Sequence, residues 1–151
     1  MPIRVGDTAP DFSLQAQTGE TVSLSQFNGQ KPVVLYFYPK DDTPGCTAES
    51  CSFRDSYEDF TEAGAVVLGV SSDSPESHQK FAAKYNLPFL LLSDTGSKVR
   101  KTYGVPATLG LLPGRVTYVI DQAGVVRHVF NSQFNPTAHV SEALTVLKSL
   151  A

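Results

Sequence analysis

The sequence predicts an α/β fold in which helices flank a mixed central β-sheet. Three observations carry this reading. Two continuous apolar, β-branched runs, Pro32-Val-Val-Leu-Tyr-Phe-Tyr38 and Ala65-Val-Val-Leu-Gly-Val70, have the composition of strands buried on both faces. Segments with apolar residues at helical spacing follow each run. Residues 116–130 then divide around Asp121-Gln-Ala-Gly124 into two strands joined by a tight, glycine-containing turn.

Residues 1–30 read as irregular, with short extended pieces near 12–14 and 21–23. Pro39 through Gly45 is a loop by its Pro, Asp and Gly content. One helix is expected from about residue 46 to 63, with Phe53, Tyr57 and Phe60 on one face and Gly64 as its stop. Ser74-Pro75-Glu76 begins a second helix, since Ser caps, Pro suits the first turn and Glu suits the dipole. It turns Phe81, Ala82 and Tyr85 inward and ends by Asn86. A third strand covers 88–92, and a short helix covers 96–103, closed by Gly104. Asn135-Pro136 caps a last helix with Val140, Ala143, Leu144 and Leu147 facing in. Strand–helix–strand–helix–strand implies parallel pairing with right-handed crossovers, and the terminal hairpin adds antiparallel strands to one side. This is the plan of a thioredoxin-like fold, which alone does not decide function.

Composition narrows the function. A chain of 151 residues with 41% hydrophobic residues fits a single domain over 1–151 with one self-sufficient core. Lys and Arg number 12 against 15 Asp and Glu, a net charge of -3, so neither nucleic acid nor a membrane surface is an expected partner. The longest apolar runs, 33–38 and 89–92, are far too short to span a bilayer. The first residues lack the apolar stretch of a secretory signal. A bacterial cytoplasm is therefore expected, with a plastid interior as the alternative if a transit peptide has been removed. Two cysteines do not build a disulfide scaffold, but both fall within six residues.

Cys46 lies where a strand's carboxyl end passes through a loop into a helix, the usual place for a reactive site in α/β sheets. The first helical turn exposes unpaired N–H groups and the positive end of the dipole, and both favour a thiolate over a thiol. Thr43 can offer a hydroxyl to the same spot, while Pro39 and Pro44 stiffen the loop. Cys51 sits five residues on. In an intact helix that spacing means a rise of about 7.5 Å, a Cα separation of roughly 8.6 Å and side chains about 140° apart. A disulfide needs Cα atoms within about 7 Å and facing Cβ vectors, so bonding requires the first helical turns to unwind.

Pro39-Lys-Asp-Asp-Thr43-Pro-Gly-Cys46 resembles the Pro-x-x-x-Thr-x-x-Cys signature of the peroxiredoxins, and the spacing to Cys51 resembles their Q-type branch, also called bacterioferritin comigratory protein. Gly6-Asp-Thr-Ala-Pro-Asp-Phe12 is similar to the family's opening, and Leu112-Pro-Gly-Arg115-Val-Thr-Tyr-Val-Ile-Asp121 to its arginine-bearing segment. The resemblance covers nearly the whole chain. It implies that Cys46 is the peroxidatic cysteine and Cys51 the resolving one. It implies that Thr43 and Arg115 bind the peroxide oxygens, Pro39 shields the thiolate and Glu49 helps hold the arginine. Arg54 is a second candidate cation.

The implied activity is reduction of hydrogen peroxide and organic hydroperoxides through a Cys46 sulfenic acid, resolved as a Cys46–Cys51 disulfide and recycled by thioredoxin or glutaredoxin. No cofactor and no metal is expected. The last residues, Lys148-Ser-Leu-Ala151, hold no cysteine for bridging subunits, so a monomer is expected.

His78, His128 and His139 show no ligand spacing with either cysteine and read as surface or packing residues. Asp41-Asp42 reads as a solvated loop pair, and Tyr36, Phe37 and Tyr38 as core. A dithiol–disulfide oxidoreductase would carry two residues between its cysteines rather than four. A non-enzymatic redox sensor or stress-induced holdase would use the same disulfide as a switch, but would stop after one peroxide.

Overall fold

The run after Pro32 forms the strand on which the rest assembles. In a computed structural model describing residues 2–105, 107–108, 112–132 and 135–150, every residue of β3 (Val33–Phe37) is buried. The strands before it are β1 (Ser13–Ala16) and β2 (Thr21–Ser23). After it come β4 (Val66–Ser71), β5 (Leu90–Ser93), the short pair β6 (Ala107–Thr108) and β7 (Leu112–Pro113), β8 (Val116–Ile120) and β9 (Val126–Asn131). Seven of them make one sheet in the order β2-β1-β5-β4-β3-β8-β9, and β6 and β7 form a separate pair.

The pairing follows the expected chirality and connection rules. β3, β4 and β5 are parallel, joined by helical crossovers, and β8 runs antiparallel to β3 with β9 beyond it. The hairpin closes over Asp121–Gly124, where Gly124 takes a φ of 82° and donates to Asp121 O. On the other side the chain's first hairpin adds β1 antiparallel to β5, which the sequence pattern did not foretell.

Among the described residues five α-helices cover the faces: α1 (Pro44–Asp55), α2 (Tyr57–Glu62), α3 (Pro75–Tyr85), α4 (Lys98–Tyr103) and α5 (Ala138–Leu150). The single helix expected over 46–63 is two. Ser56 leaves helical geometry at φ -102° and ψ 9°, and the bend lets Phe53 and Phe60 enter the same core with ring centroids 5.5 Å apart. The third strand lies at 90–93 rather than 88–92. The short helix expected over 96–103 begins at Lys98, because Gly96 at φ 81° and Ser97 at φ 59° form a separate tight turn ahead of it.

Side chains of β3 and of Tyr38 just after it alternate between two apolar layers. Leu35 and Phe37 pack with Phe12, Leu68, Tyr103 and Tyr118 on one face. Val34, Tyr36 and Tyr38 pack with Cys46, Phe53, Phe60 and Phe89 on the other. Tyr36, Phe37 and Tyr38 are thus core, as expected. No helix among the described residues is long and apolar enough to cross a membrane.

Candidate active site

The loop after β3 delivers Cys46 to the first turn of α1. Thr43 is the residue at which the helix starts, with extended φ of -91° and ψ of 155°, and Pro44 takes the first helical position where it sacrifices no bond. Cys46 is fully buried, and Arg115 Nη2 donates to its Sγ at 3.4 Å. Arg115 comes from the residue just before β8, so the antiparallel β3–β8 pairing brings the two segments together. Gly45 makes this approach possible: a Cβ there would stand 2.9 Å from Arg115 Nη2.

Glu49 lies one helical turn after Cys46 and is fully buried. Its Oε1 accepts from Arg115 Nη1 at 2.7 Å. Complete burial pushes the Glu49 carboxyl up to about 8, against the pull of the neighbouring guanidinium. Burial acts on Arg115 too and would lower it. The charges of Glu49 and of the Cys46 sulfur more than offset this and hold it above its ordinary value. The guanidinium is therefore a fixed positive charge shared between a carboxyl and a sulfur, inside a region with little water to screen it.

The remaining expected residues take distinct positions. Thr43 Oγ1 donates to Lys40 O at 3.0 Å, which leaves its lone pairs free to accept a proton donor. Pro39 is half-buried at the bend after β3. Cys51 is half-buried within α1, both thiols are free, and the helix between them is intact. Arg54 is not part of the group: its guanidinium is held by Asp55 and by Tyr85 O, at the end of α3.

Asp41 and its neighbours differ from their sequence reading. Asp41 is buried rather than solvated, because Tyr38, Ser77 and His78 all turn polar atoms onto its carboxylate. Asp42 is the exposed member, paired with Lys84. Asp41, Asp73 and His78 bring potential metal-binding atoms within 4.8 Å of one another, a cluster the sequence did not suggest. Its atoms are engaged by the fold, since His78 Nε2 donates to Leu92 O and Asp73 Oδ2 accepts from Ser71 and the Asp41 N–H.

Arg100 was missed altogether. Flanked by Lys98 and Lys101, it reads as a surface residue, yet it is buried and donates to Gly114 O and Tyr38 O, both at 2.8 Å. It thereby staples the segment bearing Arg115 to the start of the loop bearing Thr43. The one sequence signal is its place between the inward Val99 and Tyr103. Burial lowers Arg100, while Asp94 and Cys46 oppose that shift. His139, also fully buried, lies behind Glu49 with its Nδ1 3.5 Å from Glu49 Oε2.

A buried thiol at a helix start, met by a guanidinium on a mixed sheet with this strand order, defines a thiol-based oxidoreductase. Residues 5–129 match the model of the AhpC/TSA family. The chain is 61% identical over 146 residues to the chloroplastic peroxiredoxin Q of Sedum lineare, spanning 96% of this chain and 78% of that one. Among solved structures it is similar to peroxidoxin BcpB of Mycobacterium tuberculosis, with a TM-score of 0.91, 40% identity and 99% of each chain covered. It is also similar to the bacterioferritin comigratory protein of Xanthomonas campestris, known for alkyl peroxide reduction, with a TM-score of 0.85, 30% identity and 98% and 97% coverage. The chain belongs to the AhpC/TSA family of peroxiredoxins, in its Q-type branch. It is accordingly a thiol peroxidase, an antioxidant oxidoreductase on a thioredoxin-like fold.

Proposed function

We propose that Cys46 is the peroxidatic residue and that the enzyme reduces hydrogen peroxide and small organic hydroperoxides by an intramolecular two-cysteine cycle. The observation that carries this is the Arg115 guanidinium, which touches the Cys46 sulfur while Glu49 holds its other nitrogen. The thiolate attacks the nearer peroxide oxygen in line, and the O–O bond breaks. Arg115 stabilises the charge developing on the leaving oxygen, which departs as water or alcohol once protonated. Thr43 accepts the peroxide's O–H and orients it, and Pro39 limits access of water to the sulfur.

Cys46 is left as a sulfenic acid. Cys51 condenses with it, expelling water and forming the disulfide. That step asks α1 to unwind, and the segment that must move carries Glu49 and the buried Ser50, whose hydroxyl pairs with Tyr36. An external dithiol of the thioredoxin type, with glutaredoxin as the alternative, attacks the disulfide and restores both thiols. We further propose one catalytic domain acting as a monomer, since both cysteines of the cycle lie on one helix. For the compartment, the chloroplastic naming of the Sedum relative supports a plastid interior over the bacterial cytoplasm first expected.

The test is stoichiometric peroxide on the wild type, Cys46→Ser and Cys51→Ser, followed by thiol counts and masses. The wild type should lose two thiols, Cys46→Ser should not react rapidly, and Cys51→Ser should yield a sulfenic or over-oxidised product. Rapid reaction in Cys46→Ser would overturn the assignment. Many turnovers with a thioredoxin system present separate an enzyme from a one-shot redox sensor or holdase.

A further inference from the structure

The loop between β3 and α1 has a shape that its own residues do not favour. Asp42 takes a φ of 58°, in the left-handed region that a residue with a side chain rarely adopts. Such strain persists only where neighbours fix it, and it gathers at functional segments. Here the neighbour is α3. Lys84 Nζ donates to both Asp42 carboxylate oxygens, at 3.2 and 2.9 Å, and the Tyr85 hydroxyl donates to Oδ1 at 2.9 Å. These ties are exposed, so solvent screens them and they contribute little alone.

Asp41 is the stronger anchor. Its buried carboxylate gathers three side-chain donors: the Tyr38 hydroxyl on Oδ1 at 2.5 Å, Ser77 Oγ on Oδ2 at 2.8 Å and His78 Nδ1 on Oδ2 at 2.7 Å. The fully buried His78 ring faces oxygens with both nitrogens, since Nε2 donates to Leu92 O on β5 at 3.0 Å. Both nitrogens therefore donate, and the ring is the cationic partner of the carboxylate. The Asp41 N–H donates to Asp73 Oδ2 at 2.8 Å, and Ser71 Oγ on β4 holds that same oxygen at 2.6 Å. One residue of the loop is thus bound to α3 directly, and to β4 and β5 through Asp73 and His78.

Thr43 lies two residues further on. Its Oγ1 donates to Lys40 O at 3.0 Å, the carbonyl just before Asp41, and among the described residues makes no capping bond to α1. The backbone of 40–43 therefore aims this hydroxyl, and Asp41 fixes that backbone. We propose that Asp41 is a positioning residue for the peroxidase reaction: by locking the loop onto Ser77 and His78 of α3, it sets where the Thr43 hydroxyl stands for the incoming peroxide. The inference rests on the reading of Cys46 as the reacting thiol and of Thr43 as the acceptor of the peroxide's O–H. Attack in line with the O–O bond tolerates little error in the placing of that oxygen. Asp41 takes no part in the chemistry, since its carboxylate already serves three donors.

Two probes of the same sulfur separate positioning from packing. Hydrogen peroxide needs Thr43 to orient it. Iodoacetamide alkylates the thiolate by displacing iodide and has no O–H to place. Asp41→Asn keeps the size of the side chain and removes the charge that His78 answers. In this variant the rate of Cys46 oxidation by hydrogen peroxide should fall about tenfold, as expected for a displaced orienting group. Alkylation of Cys46, read by mass, should stay within about threefold of wild type, because the thiolate itself is untouched. Thr43→Val keeps the branched shape and removes the hydroxyl, so it should slow the peroxide reaction by itself. In that background Asp41→Asn should cost less than about threefold more, because two changes acting through one hydroxyl do not add.

A wild-type peroxide rate in Asp41→Asn, equal slowing with both probes, or a full repeat of the loss in the Thr43→Val background would overturn the proposal. If Asp41→Asn does not fold, Ser77→Ala decides instead. It removes one of the three donors and leaves the ion pair with His78, so it should show the same selective loss at about threefold. An unaltered peroxide rate in Ser77→Ala would then refute the inference. A Thr43→Val variant as fast as wild type would sink the reading of Thr43 and this inference with it, and a reactive Cys46→Ser would sink the assignment of the thiol. A slow Thr43→Val beside an indifferent Asp41→Asn would sink this inference alone.

Discussion

At the scale of single residues, the site depends on where one guanidinium points. Lysine keeps the charge of Arg115 but cannot reach Cys46 and Glu49 with two nitrogens at once. Arg115→Lys should lower peroxide reduction about a hundredfold in a steady-state assay, in line with loss of a charge-stabilising donor. Gly45→Ala offers a subtler displacement. Alanine suits a helix better than glycine by about 1 kcal/mol, so the melting temperature should hold or rise. The new methyl would nevertheless meet Arg115 Nη2 and push it from the sulfur, so peroxidase turnover should drop.

Two buried titrating groups set a pH dependence of stability. Glu49 is raised from 4.5 to about 8, so the folded state binds its proton more tightly, and stability from this group is lost as pH rises from 4.5 through 8. His139 is lowered from 6.5 to about 4, so its contribution is present above 6.5 and lost as pH falls toward 4. Between 4.5 and 6.5 the two slopes oppose one another, and above 6.5 only the Glu49 slope remains. Glu49→Gln should therefore flatten the fall in melting temperature between pH 6.5 and 8, measured by calorimetry across that range.

The nearness of Cys46, Glu49 and Arg115 was legible because a spaced motif names residue types whose chemistry is specific. Arg100 and His139 were not. Each carries a polar side chain into the interior on the strength of partners from distant segments, and local sequence holds no record of those partners. Asp41 was misread for the same reason, since Ser77 and His78, which help bury it, come from α3.

At the scale of elements, the informative departure is the break at Ser56. Apolar periodicity over Phe53, Tyr57 and Phe60 continues through it, so sequence sees one helix, while the structure turns at Ser56 and packs Phe53 and Phe60 in one apolar layer. The break leaves α1 a separate helix of 12 residues holding both cysteines, short enough to be marginal without its packing. The neighbouring strand tolerates less. A Cβ on Gly69 of β4 would stand 2.8 Å from the Tyr36 ring and 2.9 Å from Leu91, inside the layer that backs α1. Gly69→Ala should cost about 1–3 kcal/mol by overpacking. That lowers the melting temperature by several degrees, at about 2–4 °C per kcal/mol for a chain of this size.

At the scale of the whole molecule, the alternation of apolar strands and helices was sufficient to read the parallel centre β3, β4 and β5 and the terminal hairpin. The first hairpin was seen only as short extended pieces. Its strands of four and three residues are too brief for a pattern, and their place beside β5 is fixed by long-range pairing. The architecture serves one purpose at the site. It draws Cys46 from the end of β3, Arg115 from the start of β8 and His139 from α5 to a single point, and leaves Cys51 on the same helix but out of reach. The central claim is that this separation must be undone once per cycle. Hydrogen exchange followed by mass spectrometry, on the protein before and after one equivalent of peroxide, addresses it directly. The oxidised protein should be two hydrogens lighter, with an internal Cys46–Cys51 link and amides of the first turns of α1 exchanging freely. A peroxide-treated protein whose α1 amides stay protected, with no such link formed, would contradict the account.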